Sequence, residues 1–240
     1  MLVQITLIKF VGYREWTESL GFDREHIIQE VQGNLHRTIV KLFSEKGGIA
    51  HPLRYDLMIA FTNGLTVEDH FKILEELQKY SPTPIMMSIA VHRDVRNAEK
   101  IASRLLMSNY NSHHIITYGD IPDMSDICII HADLANSIKL LSRKTVYETY
   151  EYIMTLYRRF RRLISSMRGI ALYLGGDNMI GVVNPEVLKD SFELLREFSK
   201  KHRVRMGIGV SKIPREAMKK ATEALDRLRL ENRLEIVIER

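Results

Sequence analysis

Two stretches of this chain align on each other without a gap. Ser88-Ile-Ala-Val-His-Arg with Arg96-Asn-Ala-Glu-Lys-Ile-Ala102 matches Gly207-Ile-Gly-Val-Ser-Lys with Arg215-Glu-Ala-Met-Lys-Lys-Ala221. A repeat makes each half one folding unit. The element order of one half therefore constrains that of the other.

The first half begins with a strand over Val3–Val11, then a loop over Gly12–Phe22 carrying Tyr13, Arg14, Glu15 and Trp16. Asp23 is placed to cap a long helix with Ile27, Val31, Leu35, Ile39 and Leu42 at helical spacing, stopped by Gly47-Gly48. Strands Ile49–Arg54 and Leu57–Thr62 flank Tyr55-Asp56, and Thr66 with Asp69 opens a helix to about Tyr80. A strand (Ile85–His92), a helix (Arg96–Met107) and a strand (His114–Tyr118) complete the half.

The second half repeats this order. A strand over Asp126–Asp133 and a loop over Leu134–Lys144 lead to a Thr145/Glu148 capping box and a helix striped by Ile153, Leu156, Phe160, Leu163 and Met167. Two short apolar runs, Ile170–Leu174 and Met179–Val183, flank a four-residue turn, Gly175-Gly176-Asp177-Asn178. Asn184-Pro185 starts a helix ending near His202, followed by a strand (Val204–Val210), a helix (Arg215–Leu230) and a strand (Leu234–Ile238). Each half reads βαββαβ with an added αβ tail. The expected fold is α+β: two tandem ferredoxin-like domains, residues 1–119 and 120–240, joined within Gly119–Ser125.

In a split βαβ unit the first strand ends where the hairpin turns and lies beside the hairpin's second strand. That brings Asp133 and Asp177 to one end of a sheet. Two carboxylates there, with no basic residue in either motif, repel unless a cation lies between them, and hard oxygen ligands beside phosphates suit Mg²⁺. Carrying the same spacing back from Asp56 lands on Gly12, so half one keeps one carboxylate of the two. Asp56 alone reads as a turn residue or a ligand contact.

Other chemistries are excluded or weak. The only cysteine, Cys128, lies in an apolar run, which rules out an intrachain disulfide and a Cys-rich zinc site. His113 and His114 are adjacent on a strand and point to opposite faces. No Walker loop, Rossmann glycine pattern or Ser-His-Asp order is present. Tyr13 and Trp16 either stack on a base or cover an open loop.

The net charge of +5 favours an anionic ligand only weakly. The run Arg158, Arg159, Arg161, Arg162 and Arg168 reads as a solvated helix face rather than a nucleic-acid surface. No apolar run is long enough for a membrane span. The opening Met-Leu-Val-Gln-Ile-Thr-Leu-Ile suits a buried strand better than a signal peptide, so the expected location is cytoplasmic.

With Gly175-Gly176-Asp177-Asn178 and His131-Ala-Asp133-Leu-Ala-Asn136 in hand, the chain resembles the archaeal GTP cyclohydrolase III family over nearly its full length. The likeness extends to Tyr13-Arg-Glu-Trp16-Thr17, Arg54-Tyr-Asp56, Asn63-Gly64, Val146-Tyr147 and Gly207-Ile-Gly209. More distantly, each half is similar to the palm-like domain of diguanylate and class III nucleotidyl cyclases. The resemblance implies a Mg²⁺-dependent hydrolase: water attacks carbon 8 of GTP, the imidazole ring opens with the formyl group retained, and the triphosphate is cut to leave a formamidopyrimidine ribonucleotide monophosphate. It implies Asp133 and Asp177 as catalytic metal ligands, with the Leu134 backbone alongside. Asn136, Asn178, Gly175, Gly176, Arg54 and Asp56 would contact nucleotide or position water.

GTP is the expected partner, with neither nucleic acid nor membrane, and the chain is expected to form a homo-oligomer. The family pattern departs at Val11-Gly12 and Leu57, where polar residues are usual, which points away from a full metal site in half one. Two rivals share the fold: a catalytically lapsed GTP-binding regulator, and a nucleotidyl cyclase. The cyclase is disfavoured because a cyclic-dinucleotide cyclase would want an acid where Asn178 stands.

Overall fold

The computed structural model describes residues 2–108, 115–119, 125–135 and 142–239. The expectations for His113, His114 and Asn136 lie outside the described residues. The chain divides into two compact units, Met1–Arg93 with Asn97–Ser125, and Asp94–Arg96 with Asp126–Arg240.

The first unit runs β1 (Val3–Phe10), α1 (Tyr13–Ser19), α2 (Glu25–Glu45), β2 (Ile49–Arg54), β3 (Leu57–Phe61), α3 (Val67–Gln78), β4 (Ile85–His92), α4 (Val95–Ser108) and β5 (Ile115–Tyr118). Its sheet has the order β2-β3-β1-β4-β5, with β1 antiparallel to β3 and β4 and the tail strand β5 parallel to β4. The second unit runs β6 (Ile127–Leu134), α5 (Val146–Ser166), β7 (Ile170–Gly175), β8 (Asn178–Val183), α6 (Pro185–His202), β9 (Val204–Ser211), α7 (Pro214–Leu230) and β10 (Ile236–Glu239). Its order, β10-β9-β6-β8-β7, is the same topology: β6 is central and antiparallel to β8 and β9, and β10 is parallel to β9. Each unit is thus a ferredoxin-like βαββαβ core with an αβ tail.

Two local expectations change. The Gly12–Phe22 stretch is not all loop, because Tyr13–Ser19 forms a short helix entered through Gly12 at φ 70°. Its residues Tyr13 and Trp16 pack with ring centroids 5.2 Å apart and planes tilted by 55°. Asp23 does not cap α2, whose N-cap is Arg24 with no side-chain cap hydrogen bond. Asp23 instead approaches His26 at 3.8 Å.

The two capping boxes form as the spacing suggests. Thr66 and Asp69 exchange side-chain and backbone hydrogen bonds at the start of α3, as do Thr145 and Glu148 at α5. In α5 the buried face is Ile153, Leu156, Phe160 and Ile164, the last three in one core cluster with Ile130, Met179 and Val183 of the sheet; Leu163 is only partly buried. In α2 the buried residues are Ile28, Leu35, Ile39 and Phe43, a face turned slightly from the expected one. Cys128 is fully buried, which pushes its thiol up to about 12.

One packing detail sets the site. Helix α7 lies directly on β9 because Gly207 and Gly209 have no side chains. A Cβ on Gly207 would meet the Ala221 carbonyl oxygen at 2.0 Å, and one on Gly209 the Ala217 carbonyl oxygen at 2.0 Å. No helix among the described residues is long and apolar enough to cross a membrane.

Candidate active site

The hairpin β7–β8 turns more tightly than its letters suggest. Gly175 pairs with Asn178 after a bulge between Tyr173 and Gly175, leaving Gly176 and Asp177 as the turn. Gly175 has φ 109° and Gly176 φ 58°, the region where glycine carries no steric penalty. The Tyr173 hydroxyl donates to the Gly176 carbonyl at 2.8 Å, which ties the tip to the strand below it. Asp177 is partly exposed at that tip.

Strand β6 ends beside it. The pairing of His131 with Ile180 and Ala132 with Met179 brings Asp133 level with Asn178, one residue from Asp177. Asp133 is only 4% exposed. No basic residue stands in either motif, but α7 supplies one from a distance: Arg229 Nε donates to Asp133 Oδ2 at 2.7 Å, and its Nη1 donates to Asp226 at 2.7 Å. Burial alone would lower the Arg229 pKa, but hydrogen bonds and charge from Asp133 and Asp226 outweigh it and raise it. The repulsion between Asp133 and Asp177 is therefore relieved in part by protein. Asp133 Oδ1, however, is buried with no hydrogen-bond partner.

Asn178 is the hub of the polar cluster. Its Oδ1 lies 3.2 Å from His131 Nε2 and accepts from Arg229 Nη2 at 3.3 Å, while its Nδ2 donates to Asp177 Oδ1 at 3.3 Å. On its other side His131 Nδ1 meets the Thr222 hydroxyl at 3.2 Å. The Thr222 hydroxyl already donates to the Met218 carbonyl at 3.0 Å, so toward His131 it accepts, as Asn178 Oδ1 does, and a neutral ring donates to one of the two. Burial lowers the His131 pKa; the Asn178 hydrogen bond opposes this and the Arg229 charge reinforces it. Held between Asn178 and Thr222, the imidazole acts as a strut for Asn178.

The donor set suits a hard cation. Two carboxylates lie at one end of the sheet, Asp133 with a buried unpartnered oxygen, and Leu134 follows Asp133 in β6. Among the described residues no three His, Cys, Asp or Glu side chains gather as a metal site. A cation here would rely on ligand oxygens and water to fill its shell, the habit of Mg²⁺.

The remaining expected residues sit elsewhere. Arg54 and Asp56 belong to the first unit, where Arg54 forks onto Asp56 with Nε–Oδ1 at 2.9 Å and Nη2–Oδ2 at 3.0 Å. The counterpart of Asp133 there is not Gly12. Lys9 faces Leu57 across β1–β3, so a lysine takes the place level with the residue after the tip aspartate. Sequence reasoning missed Arg229, Thr222 and the strut role of His131. His131 stood inside the quoted motif; nothing local marks Arg229, which lies 96 residues from Asp133.

Comparison with known proteins gives a consistent result. The family model described as GTP cyclohydrolase III matches residues 2–238. A GTP cyclohydrolase III of Saccharolobus solfataricus is 29% identical over 95% of this chain and 95% of its own length. That of Pyrobaculum islandicum is 33% identical over 95% of this chain and 96% of its own. That of Pyrobaculum aerophilum is 31% identical over 98% of each.

Proposed function

The chain belongs to the GTP cyclohydrolase III family, and from that premise we propose that its second unit, with Mg²⁺ bound, opens the imidazole ring of GTP. It is an enzyme of the GTP cyclohydrolase class. One observation supports the metal most directly: Asp133 Oδ1 is buried and unpartnered at the strand end next to Asp177. Leaving such a group unsatisfied costs roughly 1–3 kcal/mol, more when charged, unless a ligand takes it up.

Asp133, Asp177 and the Leu134 backbone would hold the ion. When bound, Mg²⁺ supplies Lewis acidity and counter-charge for a triphosphate. The chain's own groups do the rest. Arg229 fixes the Asp133 carboxylate by its other oxygen and so leaves Oδ1 directed to a ligand. His131 holds the Asn178 amide, and Tyr173 holds the glycine turn. Without side chains, Gly175 and Gly176 let phosphate approach the backbone of the tip. Asn136, just beyond β6, is assigned a nucleotide contact by family likeness. Water adds to carbon 8 of the purine, the carbon 8–nitrogen bond breaks, and the formyl group stays on the product. Two further waters cleave the triphosphate, releasing two phosphates and leaving the formamidopyrimidine ribonucleotide monophosphate.

The test is incubation with GTP and Mg²⁺, following phosphate release and the ultraviolet change of ring opening, with ATP in parallel. Both signals should appear with GTP and not with ATP. Tight GTP binding without either signal would favour the lapsed regulator instead.

A further inference from the structure

The two sheets share one pairing pattern, which allows the first unit to be placed on the second residue by residue. Ala132 lies between Met179 on β8 and Met206 on β9; Ile8 lies between Met58 on β3 and Met87 on β4. One step along, Asp133 pairs with Arg205, and Lys9 pairs with Met86 and Leu57. Both neighbouring strands give the same match, so Lys9 stands where the second unit has its buried aspartate. At the hairpin, Arg54, Tyr55, Asp56 and Leu57 stand where the second unit has Gly175, Gly176, Asp177 and Asn178.

The substitutions invert the electrostatics of the site. In the second unit a carboxylate keeps an oxygen without a partner, which suits an added cation. In the first unit the same place holds an ammonium, and Arg54 already engages both oxygens of the tip aspartate. This site has no use for a divalent ion. It does have a cleft of about 310 Å³, lined by Lys9, Phe10, Tyr13, Arg14, Arg54 and Asp56 among others. That volume is at the lower end of ligand pockets.

Three cations line the cleft. They are opposed by Asp56, paired to Arg54, and by Glu18, paired to Arg14 at 2.8 Å. One side carries the half-buried Tyr13, backed by the fully buried Phe10 at 6.4 Å and leading on to Trp16. Desolvation of Lys9 disfavours its charge while the Asp56 carboxylate supports it and Arg54 opposes it. An anion entering the cleft would offset that desolvation, and a base would stack on Tyr13.

We infer that this cleft binds a phosphate-bearing nucleotide without a divalent cation, Lys9 and Arg14 supplying the charge that a metal would supply in the second unit. The cleft is lined by residues of the first unit, and the inference stands whether or not the second unit turns over GTP.

The experiment is calorimetric titration of GMP, and separately of guanosine, into the full chain in excess EDTA, which removes any metal-dependent binding. GMP should bind one saturable site per chain, and guanosine at least tenfold more weakly. Lys9→Ala should weaken GMP at least tenfold, and Asp177→Asn should leave it within twofold. Arg14 is exposed on α1, so Arg14→Ala serves as a second variant that leaves the core intact; it should weaken GMP about threefold and decides the matter if Lys9→Ala fails to fold. The inference is overturned by absence of saturable GMP binding in EDTA, by guanosine binding as well as GMP, by a folded Lys9→Ala or Arg14→Ala protein that binds as the wild type does, or by loss of this binding in Asp177→Asn.

Discussion

Arg229 reaches Asp133 from a helix 96 residues further along the chain and binds only one of its two oxygens, Nε to Oδ2 at 2.7 Å. The other oxygen, Oδ1, is buried and unpartnered. The pair is asymmetric in burial, with 37% of the Arg229 side chain exposed against 6% for Asp133. Losing the cation therefore strands a buried charge, whereas losing the carboxylate leaves an arginine that still has Asp226 and water.

Arg229→Ala should destabilise the metal-free protein by about 3 kcal/mol, the usual range for breaking a buried pair. Asp133→Asn should cost well under half of that. Urea unfolding of both variants in EDTA checks this. Adding Mg²⁺ should restore part of the Arg229→Ala loss, because the ion replaces the missing counter-charge. Equal losses for the two variants would show that the burial asymmetry has no energetic consequence.

The glycines under α7 give a second handle. Gly207→Ala would drive a methyl group to 2.0 Å from the Ala221 carbonyl oxygen, backbone that cannot swing aside. The helix must lift, at a cost of about 3 kcal/mol, the upper part of the range for overpacking. It would carry Arg229 and Thr222 with it, so activity should fall even at temperatures where the variant is fully folded. The corresponding positions of the first unit are Ser88 and Ala90, which already carry side chains; Ala90→Gly should therefore give no comparable effect on activity. A melting curve and a rate for each variant decide the point.

How much of this was legible in the letters follows from range. The capping boxes at Thr66 and Thr145 are encoded within a few residues and form as read, and the glycine turn forms where expected but closes on Gly176 and Asp177 alone. The repeat exposed the topology because two copies of one pattern share one fold. Position counting failed where it assumed equal connections. The stretch from Lys9 to Asp56 in the first unit is three residues longer than that from Asp133 to Asp177 in the second, so the spacing pointed to Gly12 when the register places Lys9. Arg229 was illegible for a different reason: only the close seat of α7 on Gly207 and Gly209 brings it over the end of β6.

Acid stability should carry the mark of Asp69. Its hydrogen bond to Lys46, at 2.8 Å, together with those from Thr66, holds its carboxyl down to about 2 although burial pushes the other way. A folded pKa below the unfolded one means the contribution is complete above about 4 and is lost as pH falls towards 2. The loss should be about 2 kcal/mol, and Lys46→Met should remove a large part of it. Urea unfolding of wild type and variant at pH 6, 4 and 3 tests the sign, since curves that stay parallel would contradict it.

Metal preference follows from the donor set of Asp133 and Asp177 without thiolate. Excess EDTA should abolish turnover of GTP, Mg²⁺ should restore it, and elemental analysis of the purified protein should show no stoichiometric zinc. Zinc retained through purification would contradict the assignment.

The central claim is that Asp133 and Asp177 act together as one metal site in the second unit. Phosphate release from GTP with Mg²⁺, measured on Asp133→Asn, Asp177→Asn, the double variant and Asp56→Asn, tests it most directly. Each single change in the second unit should lower the rate roughly a hundredfold or more, the scale of losing a group that stabilises developing charge. The double variant should be little worse than either, as for residues that act as a unit, and Asp56→Asn should lose far less. If Asp177→Asn keeps a near wild-type rate, or if Asp56→Asn proves as damaging as Asp177→Asn, the site has been placed in the wrong half of the chain.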